Sequence, residues 1–241
     1  MNFLKANWEN IVMANYAVPV DVLDPYLPKG CELDLYKDSA YVSLVGFMFK
    51  KTKIFNIPIP LLGTFEEINL RFYVIRKEAG TIKRGVVFIN ETIPYKTVAW
   101  VANKLYNEHY TSIPTKNRIS LSNTLKQIEY QWQIDKVWNS IYVESSALKY
   151  AMQTDSFEEF IFEHYHGYTK IDNLNTEEYQ IDHPRWDINK ILHYKINCDF
   201  AKMYGNHFSF LNTVRPDSVF LAEGSPVSVK LKRQRLQLNA R

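Results

Sequence analysis

The stretch GTFEEINLRFYV, Gly63 to Val74, alternates two kinds of side chain. Successive residues of a β-strand point to opposite faces, so Ile68, Leu70, Phe72 and Val74 share one face and Glu67, Asn69, Arg71 and Tyr73 share the other. A strand on a solvated sheet gives this pattern, and so does a strand whose polar row lines an enclosed interior. Glu67 and Arg71 stand four residues apart on that face, about 13 Å by strand rise, too far to pair tightly unaided.

The flanking sequence reads the same way. "SAYVSLVGFMF" before it, "VVFINETI" after it, and "RISLSNTL", "KQIEYQWQID" and "NSIYVESS" further on are short strands separated by turn signals. In "VVFINETI" strict alternation groups Val87, Ile89 and Glu91 against Phe88, Asn90 and Thr92. Sixteen tyrosines and fourteen phenylalanines suit pleated, half-buried surfaces better than a helical bundle. Helices are few. "YKTVAWVANKLYNEHY" places Val98, Val101, Ala102 and Leu105 at helical spacing with Lys104 facing away, and "TDSFEEFIFEHYHGY" offers Asp155 or Ser156 as its N-cap. "VDVLDPYL" and "DFAKMYG" read as short helical turns, and "SVFLAEGSPVSVKL" as a hairpin centred on its A-E-G-S-P. The chain is mainly β, of the α+β kind, with no linker or repeat, so residues 1–229 form one domain.

Composition excludes several function classes. Two isolated cysteines, Cys31 and Cys198, give no disulfide framework and no zinc knuckle. The N-terminus lacks an unbroken apolar core of signal-peptide length and no 18-residue apolar run occurs, so a cytoplasmic protein that does not engage membranes is expected. The segment KLKRQRLQLNAR, residues 230–241, holds five basic residues; subtracting them from the net charge of +3 leaves the body at −2. Such a terminal, aromatic-free cluster reads as a solvated tail, and no nucleic-acid partner is expected. Phosphate-loop, dinucleotide, zincin and hydrolase-elbow motifs are all absent, so no cofactor is implied. His164 and His166 form an H-x-H pair without a third ligand, which leaves no metal site, and His164 reads as a packed, hydrogen-bonded side chain. Large antiparallel sheets commonly close into barrels to remove their edges, and such a barrel can hold a ligand.

Read in order, "WENIVMANYAVPVDVLDPYLPKGCELD", "AYVSLVGF", "FEEINLRFYV", "FEEFIFEHYHGY" and "HPRWDI" resemble the YqjF-like family of uncharacterised proteins over residues 8–229, with Glu67 to Val74 the most specific part. That family is grouped with the acetoacetate decarboxylase-like superfamily, whose fold is a cone-shaped, largely antiparallel β-barrel around a pocket, with a few peripheral helices. The resemblance implies that Glu67, Asn69 and Arg71 look inward. Superfamily decarboxylases work through a lysine Schiff base activated by an adjacent lysine. Their motif, laid over "ANKLYNEHYT", puts His109 at a proline, Tyr110 at the nucleophilic lysine and Thr111 at its neighbour. The arginine expected after the first-strand tyrosine is also missing, since Ala17 and Val18 follow Tyr16.

The resemblance therefore implies a pocket without its best-known chemistry. Glu67 is the candidate acid or base, and Asn69, Arg71, Tyr73, His109 and Tyr110 are candidate binding residues for a small polar or carboxylated molecule, with Arg71 as a fork for an anion. An acidic group balancing Arg71 is expected, as is burial of the Ile68 face under the helices or at a subunit contact in a homo-oligomer. The alternative is a non-catalytic structural or interaction module whose barrel is packed solid.

Overall fold

In a computed structural model, residues 2–60, 62–106, 109–230 and 234–237 are described, apart from the side chains of Ala102, Leu105, Tyr106, Gln234, Arg235 and Gln237. The strands are β1 (Asn2–Val18), β2 (Glu32–Leu33), β3 (Ala40–Ile54), β4 (Ile57–Pro58), β5 (Phe65–Glu78), β6 (Thr81–Ile93), β7 (Tyr110–Ser112), β8 (Thr115–Leu121), β9 (Leu125–Ile134), β10 (Val137–Ala151), β11 (His166–Lys170), β12 (Asn175–Asp182), β13 (Asp187–Asn197), β14 (Ser218–Lys230) and β15 (Gln234–Gln237). The helices are α1 (Lys96–Tyr106), α2 (Phe157–Phe162) and α3 (Phe200–Tyr204). "VDVLDPYL" forms two 3-10 turns, Val20–Val22 and Asp24–Tyr26.

One sheet runs in the order β12-β11-β6-β5-β3-β1-β14, and β14 pairs back onto β12 through Ile181 with Val229 and Asp182 with Ser228. These seven strands close a ring. The pairing is antiparallel except where β6 meets β11 and β7. Two junctions, β6 with β11 and β12 with β14, are only two residue pairs long, whereas β1, β3 and β5 pair along most of their lengths. Long walls with short seams make a cone rather than a regular barrel. From β14 the sheet continues through β13, β10, β9 and β8 as a wing folded over the outside of the ring.

Three bulges give the ring its curvature and decide which residues look inward. On β1 the register against β3 shifts between Glu9 and Val12, where Asn10 has φ 55. Ala6 and Trp8 before the shift therefore share a face with Ile11 and Met13 after it. On β3 Lys51, at φ 53, does the same for Phe47 and Phe49 before it and Thr52 and Ile54 after it. On β6 the break in register between Leu70 and Arg71 of β5 leaves Ile89 over, so Phe88 and Glu91 both face inward. An extra residue inverts side-chain parity and increases local twist, which is how a long strand keeps one face on a closed interior.

Both faces of β5 are covered. Ile68, Leu70, Phe72 and Val74 pack with Val12, Leu44, Ile128, Tyr130, Trp132 and Phe200. That face lies under the wing and α3, so a helix contributes to its cover as expected and the strands of the wing supply the rest. The wing approaches so closely at Gly46 that a Cβ there would stand 2.6 Å from Tyr130 Cδ2.

The helices α1 and α2 lie on the cone's other side. Val98 and Val101 of α1 face the interior, Lys104 is exposed, and Ala102 and Leu105 lie outside the described side chains. The Ser156 hydroxyl caps α2 by accepting from Glu159 N at 3.2 Å. Two further readings change. The "AEGSP" segment is no hairpin centre but the middle of a continuous β14, because Gly224 at φ 85 lets the strand pass Trp8. Within the terminal basic segment, Gln234–Gln237 pair with β12 and Leu236 is buried.

Among the described residues no helix is long and apolar enough to cross a membrane.

Candidate functional site: a polar cluster inside the cone

The cone holds a partly open cavity of about 350 Å³. Its wall is mostly apolar, with Trp8, Phe47, Phe49, Phe65, Ile93 and Trp186 prominent, and α1 closes one side with Thr97, Val98 and Val101. The polar row of β5 supplies Glu67, Asn69 and Arg71, joined by Glu91 from β6 and Tyr110 from β7.

Register explains the convergence. Asn69 sits opposite Glu91 across the β5–β6 ladder, and Glu91 sits beside Tyr110 across the parallel β6–β7 pair. Tyr110 is fixed by Asn103 of α1, whose Oδ1 accepts from Tyr110 N at 2.7 Å while its Nδ2 donates to Tyr110 O at 2.8 Å. Glu67 and Asn69 are almost fully hidden, at 2% and 1% exposure. Asn69 Nδ2 donates to Glu67 Oε1 at 3.0 Å, and the Tyr110 hydroxyl donates to Glu67 Oε2 at 3.2 Å. The carboxylate is thus held at both oxygens, which fixes its rotamer within the cavity wall.

Arg71 is held loosely by comparison. Its Nη2 donates to Ile161 O at 3.4 Å and lies 4.0 Å from Met13 Sδ, and the guanidinium carbon is 5.7 Å from the Tyr73 ring centroid. Its Nε is buried without a hydrogen-bond partner, and among the described residues no carboxylate forms an ion pair with it. The expected acid balancing Arg71 is therefore not found among the described residues. Asn69 Oδ1, Trp8 Nε1 and Thr52 Oγ1, also on the cavity wall, are likewise buried without partners. Buried polar atoms are nearly always hydrogen-bonded in folded proteins, so four unpaired ones around one cavity depart from the usual pattern.

The remaining candidates lie elsewhere. Tyr73 is buried on the same face of β5 but does not line the cavity: its hydroxyl is 2.5 Å from Ser43 Oγ, which donates to Asn15 Oδ1 at 2.6 Å, and Asn15 Nδ2 donates to Ser218 Oγ at 3.0 Å. The Tyr73 ring packs at a tilt against His164, centroids 4.7 Å apart and planes 40° apart. His164 Nε2 lies 3.2 Å from Asp34 Oδ2, which also receives Arg84 Nε at 2.7 Å. Burial pushes the His164 imidazole down to about 4, against the opposing pull of Asp34, so it packs as a neutral ring. The side chain of His109 is exposed, and only its carbonyl serves the site, accepting from Asn90 Nδ2 and Glu91 N. Among the described residues no cluster of three His, Cys, Asp or Glu side chains could hold a metal.

Glu91 and Trp8 are the residues that alternation alone misses. Strict alternation assigns Glu91 to the face of Val87 and Ile89; the bulge at Ile89 moves it to the cavity. The signal was a charge closing an otherwise apolar row.

The cone-like sheet has the acetoacetate decarboxylase-like fold. An acetoacetate decarboxylase-like enzyme from Sphingomonas wittichii RW1 superposes with a TM-score of 0.66 at 8% identity, covering 98% of this chain and 94% of that one. The enduracididine biosynthesis enzyme MppR, in complex with the condensation product of pyruvate and imidazole 4-carboxaldehyde, gives 0.65 at 8% identity, covering 98% and 90%. At such identities the likeness shows the fold alone. The chain itself belongs to the DUF2071 family of uncharacterized conserved proteins, which matches residues 5–226. Uncharacterized protein YqjF of Bacillus subtilis (strain 168) is 24% identical over 184 residues, 76% of this chain and 74% of that one.

Proposed function

We propose that the cone binds a small carboxylated molecule, with Arg71 receiving the carboxylate and Glu67, Asn69 and Tyr110 contacting the polar atoms next to it. The observation that carries this reading is the Arg71 guanidinium, on the cavity wall, with a buried Nε lacking a partner and no ion pair among the described residues. A guanidinium in that condition is stabilised by a planar anion that accepts two parallel N–H bonds. MppR, which shares the fold, binds a condensation product of pyruvate, and a guest of that kind is consistent with this reading. The cavity favours a ligand site over a barrel packed solid.

Glu67 is the group placed to act as acid or base. Its two oxygens accept hydrogen bonds from an amide and a phenol, so a proton moved to or from a bound molecule has a short route through Tyr110. Schiff-base chemistry is not part of this proposal, because no lysine lines the cavity among the described residues.

Calorimetric titration of wild type and Arg71→Gln with pyruvate and butyrate tests the reading. Loss of a charge-assisted bond of about 1.5–3 kcal/mol weakens carboxylate binding by about 10- to 100-fold. Equal affinity in the two proteins would rule out Arg71 as the carboxylate receiver.

A further inference from the structure

The cavity is longer than a two- or three-carbon acid needs, and its charged groups sit towards one end. Arg71 and Phe65 are six residues apart on the inner face of β5, about 20 Å by strand rise. The polar side chains of β5 occupy the part from Arg71 to Glu67. The guanidinium leans towards Met13, which pairs with Val45 opposite Asn69, so the anion-binding atoms lie near the Asn69 level.

Beyond Glu67 the wall is aromatic and aliphatic apart from the Thr52 hydroxyl and the Trp8 indole N–H. Phe65 stacks on Phe49 with centroids 4.9 Å apart, Trp8 meets Phe49 edge-on at 5.8 Å, and Ile54, Ile59 and Ile93 complete this end. Trp8, Phe49 and Phe65 stand side by side across β1, β3 and β5, since Trp8 pairs with Phe49 and Phe49 with Phe65. An apolar space of this kind is poorly filled by water and gains free energy from an apolar guest.

We infer that the ligand is an amphipathic monocarboxylate: a carboxylate at Arg71 carrying an unbranched aliphatic body that reaches past Glu67 into the Trp8–Phe49–Phe65 end. This inference rests on the reading of Arg71 as the carboxylate receiver. The apolar arm adds a separate property to it, selection by chain length.

The test is calorimetric titration of the wild-type chain with acetate, butyrate, hexanoate and octanoate, and with octylamine as the head-group control. Each methylene buried in the apolar arm strengthens binding about fourfold, the equivalent of about 0.8 kcal/mol, until the arm is full. The longer acids also bind with a more negative heat-capacity change than acetate. Expected is a monotonic rise from acetate at least to hexanoate, with octylamine much weaker than octanoate. Acetate binding as tightly as octanoate overturns the apolar arm and leaves the carboxylate reading standing. Octylamine matching octanoate overturns the carboxylate reading and leaves the arm. Absence of binding across the series overturns both.

Discussion

Tyr110 and Glu67 are 43 residues apart in the chain, and the Tyr110 hydroxyl donates to Glu67 Oε2 at 3.2 Å inside the cone. The contact joins the most legible strand of the sequence to a three-residue strand whose place depends on α1 and on one side chain, Asn103. It also puts a phenol where the sequence resemblance aligns the nucleophilic lysine of the decarboxylases.

Borohydride reduction in the presence of acetoacetate is expected to leave the protein unmodified. A trapped Schiff base needs an amine within reach of the bound carbonyl, and Tyr110 has none while Lys104 is exposed on α1. Mass spectrometry of the reduced protein reads the outcome, and a reduced adduct mapped to any lysine would contradict it.

Arg71→Gln is expected to leave the stability of the unliganded protein within about 1 kcal/mol of wild type. A buried pair broken from one side costs about 3 to 5 kcal/mol because the partner charge is stranded. Arg71 has no ion-pair partner among the described residues, so the substitution strands no charge, only the Ile161 carbonyl of its long 3.4 Å hydrogen bond. Urea titration with and without 10-fold excess butyrate over its dissociation constant separates the effects: the wild type gains about 1.4 kcal/mol from the ligand, and the variant gains little. A large loss in the unliganded variant would show that the guanidinium is structural.

The part of this fold that was legible is the part with period two. The alternation of Glu67, Asn69 and Arg71 against Ile68, Leu70 and Phe72 located two faces of one strand, and all but the half-buried Arg71 are buried. What alternation cannot supply is parity after a bulge: Asn10, Lys51 and Ile89 each invert it, and Glu91 reaches the cavity for that reason alone. Nor does local sequence identify a distant cover. The Ile68 face meets Tyr130 and Trp132 some sixty residues away, and no nearby pattern announces them. Gly224 misleads in the same manner. Gly-Ser-Pro signals a turn, yet the glycine is needed because a Cβ at that position would lie 2.0 Å from Trp8 O.

Removal of residues 231–241 is expected to lower the melting temperature, against the reading of this segment as a solvated tail. Gln234–Gln237 pair with Asn175–Glu178, and Leu236 is 6% exposed. Burying one leucine is worth about 1.5–3 kcal/mol. For a chain of this size each kcal/mol moves the midpoint about 2–4 °C, so a drop of about 5 °C is expected in a thermal scan. An unchanged midpoint would mean that the edge strand adds nothing to the cone.

The last expectation concerns acid. The His164 imidazole, buried between Tyr73 and Phe160, is pushed from an ordinary 6.5 down to about 4, chiefly by loss of water and only partly offset by its hydrogen bond to Asp34. A proton therefore binds the unfolded chain more readily than the folded one throughout that interval, and stability is full above pH 6.5 and falls as the pH is lowered towards 4. Asp34 adds little to this slope: burial raises its carboxyl, but His164 and Arg84 outweigh that and hold it below the usual carboxylate range, so it stays ionised. A depression of this size corresponds to about 3 kcal/mol across the window. Burial also lowers His166 and His183, so the wild-type slope contains more than one histidine, and the informative quantity is the difference on substitution. His164→Gln should be less stable than wild type at pH 7, because Asp34 loses its ring donor, and the gap should narrow as the pH drops to 4.5 because the variant has no imidazole there to protonate on unfolding. Urea midpoints of both proteins at pH 7 and pH 4.5 measure this; a constant gap between them would mean that His164 titrates in the folded protein much as it does in water.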